Sequence, residues 1–219
     1  MDVEADGQVV FGDLDFGLRR WNGSVASDVT ASTVVGGDVG AVAVDRAANR
    51  LYVGADYAST SYWQEGVATG TWGTGDVHPG AFASGTLYAF GLFSPSVFTF
   101  SPADLASSHL LMVDNSPWLV PGDMVYGLTV DTTPGATPTV YVSNDQGQIY
   151  AAQDGAATHT LIATGLGSLR GLALDAAGSK LYAASWDHRR VVAIDLASTS
   201  TITEVPIYPA LQPGGRPKT

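Results

Sequence analysis

The chain has 219 residues, no cysteine and a formal charge of −11, from 21 acids against 10 bases. This composition excludes disulfides and thiolate metal sites, and its acidity argues against a nucleic-acid partner, most of all between Leu51 and Leu169, where nine acids stand and no Lys or Arg. No apolar run is long enough for a membrane helix and no window has helical amphipathy, so neither a membrane span nor an α/β fold is expected. Met1-Asp2-Val3-Glu4 opens without a basic and then apolar segment, so no secretion signal is expected there.

In chain order, the first repeat keeps only Asp2-Val3-Glu4 of its innermost strand. After the turn Ala5-Asp6-Gly7, Gln8–Gly12 and Leu18–Asn22 read as its second and third strands. Asn22-Gly23-Ser24 is a glycosylation sequon. The second repeat opens with Ala41–Asp45 and Arg50–Ala55. Residues 57–84 are rich in Gly, Thr and Ser, carry Tyr57, Tyr62, Trp63 and Trp72, and show no strand period. They are expected as a 28-residue insertion between the second and third strands, serving as a functional loop or as an aromatic flap over apolar surface. Gly85–Phe90 then reads as the third strand, Ser96–Phe100 as a candidate fourth, and His109–Val113 as an additional strand before Pro117, Pro121 and Gly122. The next repeat runs through Gly127–Asp131, Thr139–Ser143, Gly147–Ala152 and Thr158–Ala163. The last runs through Gly171–Asp175, Lys180–Ser185, Arg190–Leu196 and Ser200–Pro206, and residues 208–219 form a Pro/Gly-rich tail.

One phrase recurs through these repeats: an acid closing a strand, five residues, then an apolar residue and an aromatic. It is found from Asp175 to Leu181-Tyr182, Glu4 to Val10-Phe11, Asp45 to Leu51-Tyr52 and, with three extra residues, Asp131 to Val140-Tyr141. The acids are 41, 86 and 44 residues apart, which divides the chain at about 1–37, 38–125, 126–167 and 168–207. Since 86 is twice 43, the middle span holds one repeat with large insertions or two, the second degraded and hidden within 91–125. A four-stranded antiparallel meander cannot bury both of its faces alone, so the repeats must stack on one another. The expectation is an all-β chain, a β-propeller of four-stranded antiparallel blades with four clear repeats and room for a degenerate fifth.

The run from Val10 to Ser24, with its aromatic strand, its acids Asp13 and Asp15, and Arg19-Arg20 before an Asn-Gly turn, resembles the YWTD repeat of lipoprotein-receptor propellers, although Phe11-Gly12-Asp13 stands where the name motif would be. Leu181–Ser185 followed by Val191–Asp195 is similar to YVTN repeats, and Gly171–Asp175 to the opening strand of NHL repeats. These resemblances imply propeller architecture and an extracytoplasmic location. They also imply six or more blades, so the remaining blades of a larger propeller would lie outside this chain. Gly127-Leu128 and Gly171-Leu172 resemble strand openings of the SMP-30/gluconolactonase family, which implies a metal-dependent lactonase. Tyr126 and Arg170, however, stand where that family places an Asn and an Asp ligand, and no Glu-Gly-Pro ligand strand is present.

If strands alternate in direction, the loops from second to third strand and the loops between blades emerge at one end. That end is predicted to carry Asp13, Asp15, Asp56, Asp145 and Asp187 from the first kind of loop, with Trp186 and His188, and Asp38 and Asp123 from the second. Such a crown suits a protein or small-molecule ligand, and its oxygens suit Ca²⁺. Each Asp serves equally as a cap on its own turn. No Gly-x-Ser-x-Gly elbow occurs, and His78, His109, His159 and His188 are scattered, only the last beside an acid at the loop end. The sequence therefore reads as a non-catalytic binding or scaffolding propeller, with a lactonase-like hydrolase as the alternative.

Overall fold

A computed structural model describes residues 1–13, 17–29, 39–55, 61–64, 67–71, 77–91, 96–102, 104–112, 124–133, 135–156, 158–175, 177, 179–198 and 201–205. Among them lie twenty strands and no helix, hence no helix long and apolar enough to cross a membrane. The strands form five four-stranded antiparallel sheets, each following chain order. Sheet one holds β1 (Asp2–Val3), β2 (Val9–Asp13), β3 (Gly17–Trp21) and β4 (Ala26–Asp28). Sheet two holds β5 (Val39–Asp45), β6 (Arg50–Ala55), β7 (Ser61–Gln64) and β8 (Val67–Thr71). Sheet three holds β9 (Val77–Ala83), β10 (Thr86–Gly91), β11 (Val97–Ser101) and β12 (Asp104–Met112). Sheet four holds β13 (Val125–Asp131), β14 (Thr139–Asn144), β15 (Ile149–Gln153) and β16 (Thr160–Ala163). Sheet five holds β17 (Leu169–Asp175), β18 (Lys180–Ser185), β19 (Arg190–Asp195) and β20 (Ile202–Val205).

The expected insertion at 57–84 instead contributes strands at 61–64, 67–71 and 77–83. Its residues supply β7 and β8, which complete sheet two, and β9, which opens sheet three; Leu51 pairs with Trp63 and Tyr52 with Tyr62. Gly85–Phe90 accordingly belongs to a second strand, Ser96–Phe100 to a third, and His109 to the fourth, β12. The additional repeat is thus sheet three, complete with four strands between Val77 and Met112, which begins earlier than the expected span 91–125. Sheet one carries a smaller correction. The phrase places Phe11 with Tyr52, but Asp2 faces Val10 as Ala43 faces Tyr52, so Val10 is the true counterpart. The reason is a tighter turn: Glu4 N–H donates to Gln8 O (2.8 Å) and Gly7 takes a φ of +85°.

The acid of the phrase has a local task. Asp45 Oδ1 accepts the N–H groups of Ala47 and Ala48 (3.1 and 3.0 Å), and Asp131 Oδ1 accepts the N–H and the Oγ1–H of Thr133 (3.0 and 2.8 Å). Both carboxylates cap the turn into the second strand. Glu4 instead lies buried against Arg20, whose guanidinium donates to both of its oxygens.

Each sheet packs against the next, so sheets two, three and four are covered on both faces. Val10 and Leu18 pack with Val42, Val44 and Leu51; Tyr52 and Ala43 with Leu87 and Phe100; Tyr88 and Phe90 with Leu128 and Val142; Tyr141 and Ile149 with Leu181 and Val192. The four tyrosines Tyr52, Tyr88, Tyr141 and Tyr182 hold one register position, opposite Ala43, Ala81, Thr129 and Ala173. The first three are 0, 1 and 7% exposed, sealed by the following sheet: Tyr52 stacks on Phe82 at 5.6 Å, and Tyr88 Oη donates to Asp154 Oδ2 (2.9 Å). Burial first, and then Asp154, push the Tyr88 phenol well above its ordinary pKa.

The first strands of all five sheets converge on a cavity of about 770 Å³ with Val44, Phe82, Leu128 and Leu172 among its walls. Close approach of successive first strands demands small residues. A side chain on Gly127 would collide with Ser143 Oγ and with the backbone of Gly171 and Leu172, whereas the equivalent Gly171 faces open space. Gly127→Ala is therefore expected to lower unfolding free energy by about 1–3 kcal/mol, and Gly171→Ala to leave it within roughly 0.5 kcal/mol, as measured by urea denaturation.

Candidate functional site

Antiparallel order brings the turns between second and third strands to the same end as the connections between sheets. In sheets four and five the two kinds of loop are bonded together. Asp145 N–H donates to Met124 O (3.2 Å), Leu166 N–H to Gly147 O (3.2 Å) and Trp186 N–H to Ser168 O (2.8 Å). Ser185 Oγ, buried, donates to Leu166 O at 2.6 Å. A side chain on Gly147, whose φ is +75°, would strike the backbone of Leu166 and Gly167, so this loop end is packed through main chain.

Four of the predicted residues meet on this surface. Asp187 Oδ2 accepts the Ser168 N–H at 2.9 Å, so this carboxylate caps the neighbouring connection. Trp186 is 69% exposed beside it. The His188 ring lies against Gly167, and its Nδ1 is 3.4 Å from Arg190 Nη2, while Arg190 Nη1 faces Glu204 Oε2 at 3.5 Å. Arg189 closes the turn at a φ of 50°, a left-handed conformation unusual for a side chain with a Cβ. Asp145 is half-buried, and its Oδ1 is shielded from solvent with no hydrogen-bond partner among the described residues. Asp15, Asp38, Asp56 and Asp123 lie outside the described residues, as does the side chain of Asp13 at the end of β2. Among the described residues no three His or acid side chains gather in a way that could hold a metal ion.

A feature that no sequence pattern announced is a bulge near the start of three first strands. Register skips one residue at Gly40, Tyr126 and Arg170, leaving each outside the ladder at the loop end. Bulges re-aim side chains, and here the Arg170 guanidinium lies 3.8 Å from the centre of the Tyr126 ring. Tyr126 Oη donates to Met124 Sδ (3.2 Å). These are the two positions where the lactonase resemblance needs an Asn and an Asp, and they hold a cation stacked on an aromatic ring. The central cavity has Arg46, Ala47, Ser84 and Gly85 at its rim, turns between first and second strands, so it opens at the opposite end from the predicted crown.

No family model matches the sequence, and no curated protein matches it either. Solved structures do match. A chain in the crystal structure of a nidogen/laminin complex superposes with a TM-score of 0.73 at 16% identity, over 92% of this chain and 75% of that one. The WD40 β-propeller domain of Doa1 superposes with a TM-score of 0.57 at 14% identity, over 91% of this chain and 64% of that one. The fold is a β-propeller. Its blades are the five sheets, and the loop end carries Trp186.

Asp187→Ala removes the acceptor that pins Ser168. It should cost about 1 kcal/mol and speed hydrogen exchange at the Ser168 amide, while Asp187→Asn, which keeps an acceptor oxygen, should stay near the parent in both measurements.

Proposed function

We propose that the chain is a non-catalytic propeller domain that binds a protein through its loop end, with Trp186 as the anchor. The observation that carries this reading is a large aromatic side chain standing in solvent on a fixed turn. Trp186 N–H is held by Ser168 O, and Asp187 holds Ser168 in return, so little conformational entropy remains to be lost when a partner covers the ring. Tryptophans so placed are prominent among interface hot spots. The neighbour at TM-score 0.73 comes from a structure of a nidogen/laminin complex, which supports a protein as the partner.

The test is photocrosslinking. A photoreactive residue at position 189, exposed on the same turn as the anchor, should capture a protein from the native source, and one at Asn49, in a turn at the opposite end, should not. Unlabelled parent chain should compete for that capture, and Trp186→Ala should compete roughly 30-fold less well with an unchanged Tm. Equal capture at both positions, or undiminished competition by Trp186→Ala, would refute the proposal.

A further inference from the structure

We infer that the protein partner of the loop end presents an Asp or Glu side chain to the guanidinium of Arg170, with an apolar neighbour of that acid covering Trp186. This rests on the reading of the loop end as a protein-binding surface and adds the chemistry of what binds there.

The placement of charge points to it. No Lys or Arg stands between Leu51 and Leu169; Arg170 ends that run, and Arg189 and Arg190 stand on the turn beside it. Arg190 is engaged by His188 and Glu204. Arg170 is exposed, and among the described residues no carboxylate pairs with it and no acceptor takes its N–H groups. Asp187, the nearest acid in the turn, is occupied by the Ser168 N–H instead. What Arg170 does touch is the Tyr126 ring, 3.8 Å away. Stacking occupies one face of the guanidinium, whereas its N–H donors point outward in the plane and form a fork that matches a carboxylate bidentately.

The fork is also held in place. A bulge lifts Arg170 out of its ladder, and the equivalent bulge lifts Tyr126 out of the preceding one. Tyr126 Oη is bonded to Met124 Sδ, and Met124 O accepts the Asp145 N–H. A cation packed on a fixed ring loses less freedom on meeting a ligand than one on a free stem. Trp186 stands close by: Arg170 follows Leu169, Trp186 follows Ser185, and Leu169 and Ser185 are partners across the ladder. An extended segment with an acid beside an apolar residue reaches both.

One carboxylate suits the site better than a phosphate. The chain carries −11, so each further negative charge on a ligand meets more repulsion. Charges beyond about 8 Å are largely screened at physiological salt, which leaves the immediate surroundings of Arg170 to favour a single anion.

The test follows two NMR signals of the isotope-labelled chain, the Arg170 Nε–H and the Trp186 indole N–H, assigned by their loss in Arg170→Lys and Trp186→Ala. Acetyl-Leu-Asp-Leu-amide should shift both along one saturating curve, and acetyl-Leu-Asn-Leu-amide should bind about tenfold more weakly or worse. Arg170→Gln should lose affinity for the acidic peptide by a similar factor, and Arg170→Lys, which keeps the charge without the fork, should recover only part of it. In the photocrosslinking assay, unlabelled Arg170→Gln chain should compete about tenfold less well than the parent. Equal affinity for the two peptides, inorganic phosphate matching the acidic peptide at the Arg170 signal, or undiminished competition by Arg170→Gln would each overturn the inference. If Arg170→Gln competes undiminished while Trp186→Ala competes poorly, the loop end still binds a protein, but one of other chemistry; if both compete undiminished, the reading of the loop end fails as well.

Discussion

A sheet of four short strands has two faces and no means of drying either, and this constraint organises the molecule. Sheets two, three and four solve half of the problem by receiving the sheet before them and the other half by receiving the sheet after them, and sheets one and five each receive one neighbour. The contacts that do so are repeated: a tyrosine at one register point in four sheets, small residues where first strands nearly touch, and aliphatic side chains on the receiving face. Polar bonds reinforce the junctions without replacing the apolar seal. Val44 N–H reaches Asp2 Oδ2 (2.8 Å) between sheets one and two, and Tyr88 reaches Asp154 between three and four.

The same stacking makes the loop end usable. Because connections between sheets are bonded to the turns beside them, residues far apart in sequence are fixed on one surface: Met124 against Asp145, Gly147 against Leu166, and Ser168 against Trp186 and Asp187. Rigidity there comes from main chain and from capping carboxylates, which leaves a few side chains, Trp186 above all, to face solvent without structural duties of their own. Arg170, thrown out of its ladder by a bulge, is spent on Tyr126 and gives this edge of the mouth a positive charge in a chain that is otherwise strongly acidic.

Most of the architecture was legible because turn chemistry and sheet chemistry coincide in one phrase. Asp45 and Asp131 cap the turn, and the aromatic after it fills the next junction, so spacing alone exposed four sheets. Sheet three was not told apart from sheet two for a physical reason: Ala83 stands where the capping acid would be, and the two-residue turn Ser84-Gly85, with Ser84 at a φ of 50°, needs no such cap. Its Tyr88 was in plain view but lacked the acid that marked the others. Strand β8 was hidden by Gly and Thr at positions where side-chain alternation carries little signal, and β7, only four residues long, by its shortness. In sheet one, a turn one residue shorter moved the apparent aromatic to the wrong face. At the loop end, the shared location of Asp145, Trp186, Asp187 and His188 followed from strand direction, while the bulges at Tyr126 and Arg170 did not, since a register skip leaves no trace in residue type.

If sheet-to-sheet sealing is what holds the chain together, four chemically identical side chains should differ in worth according to whether another sheet covers them. The decisive measurement is the unfolding free energy, by chemical denaturation, of Tyr52→Ala, Tyr88→Ala, Tyr141→Ala and Tyr182→Ala. Sealing predicts losses of about 3–5 kcal/mol for the first three and less than about 1 kcal/mol for the last. Equal losses at all four positions would contradict it.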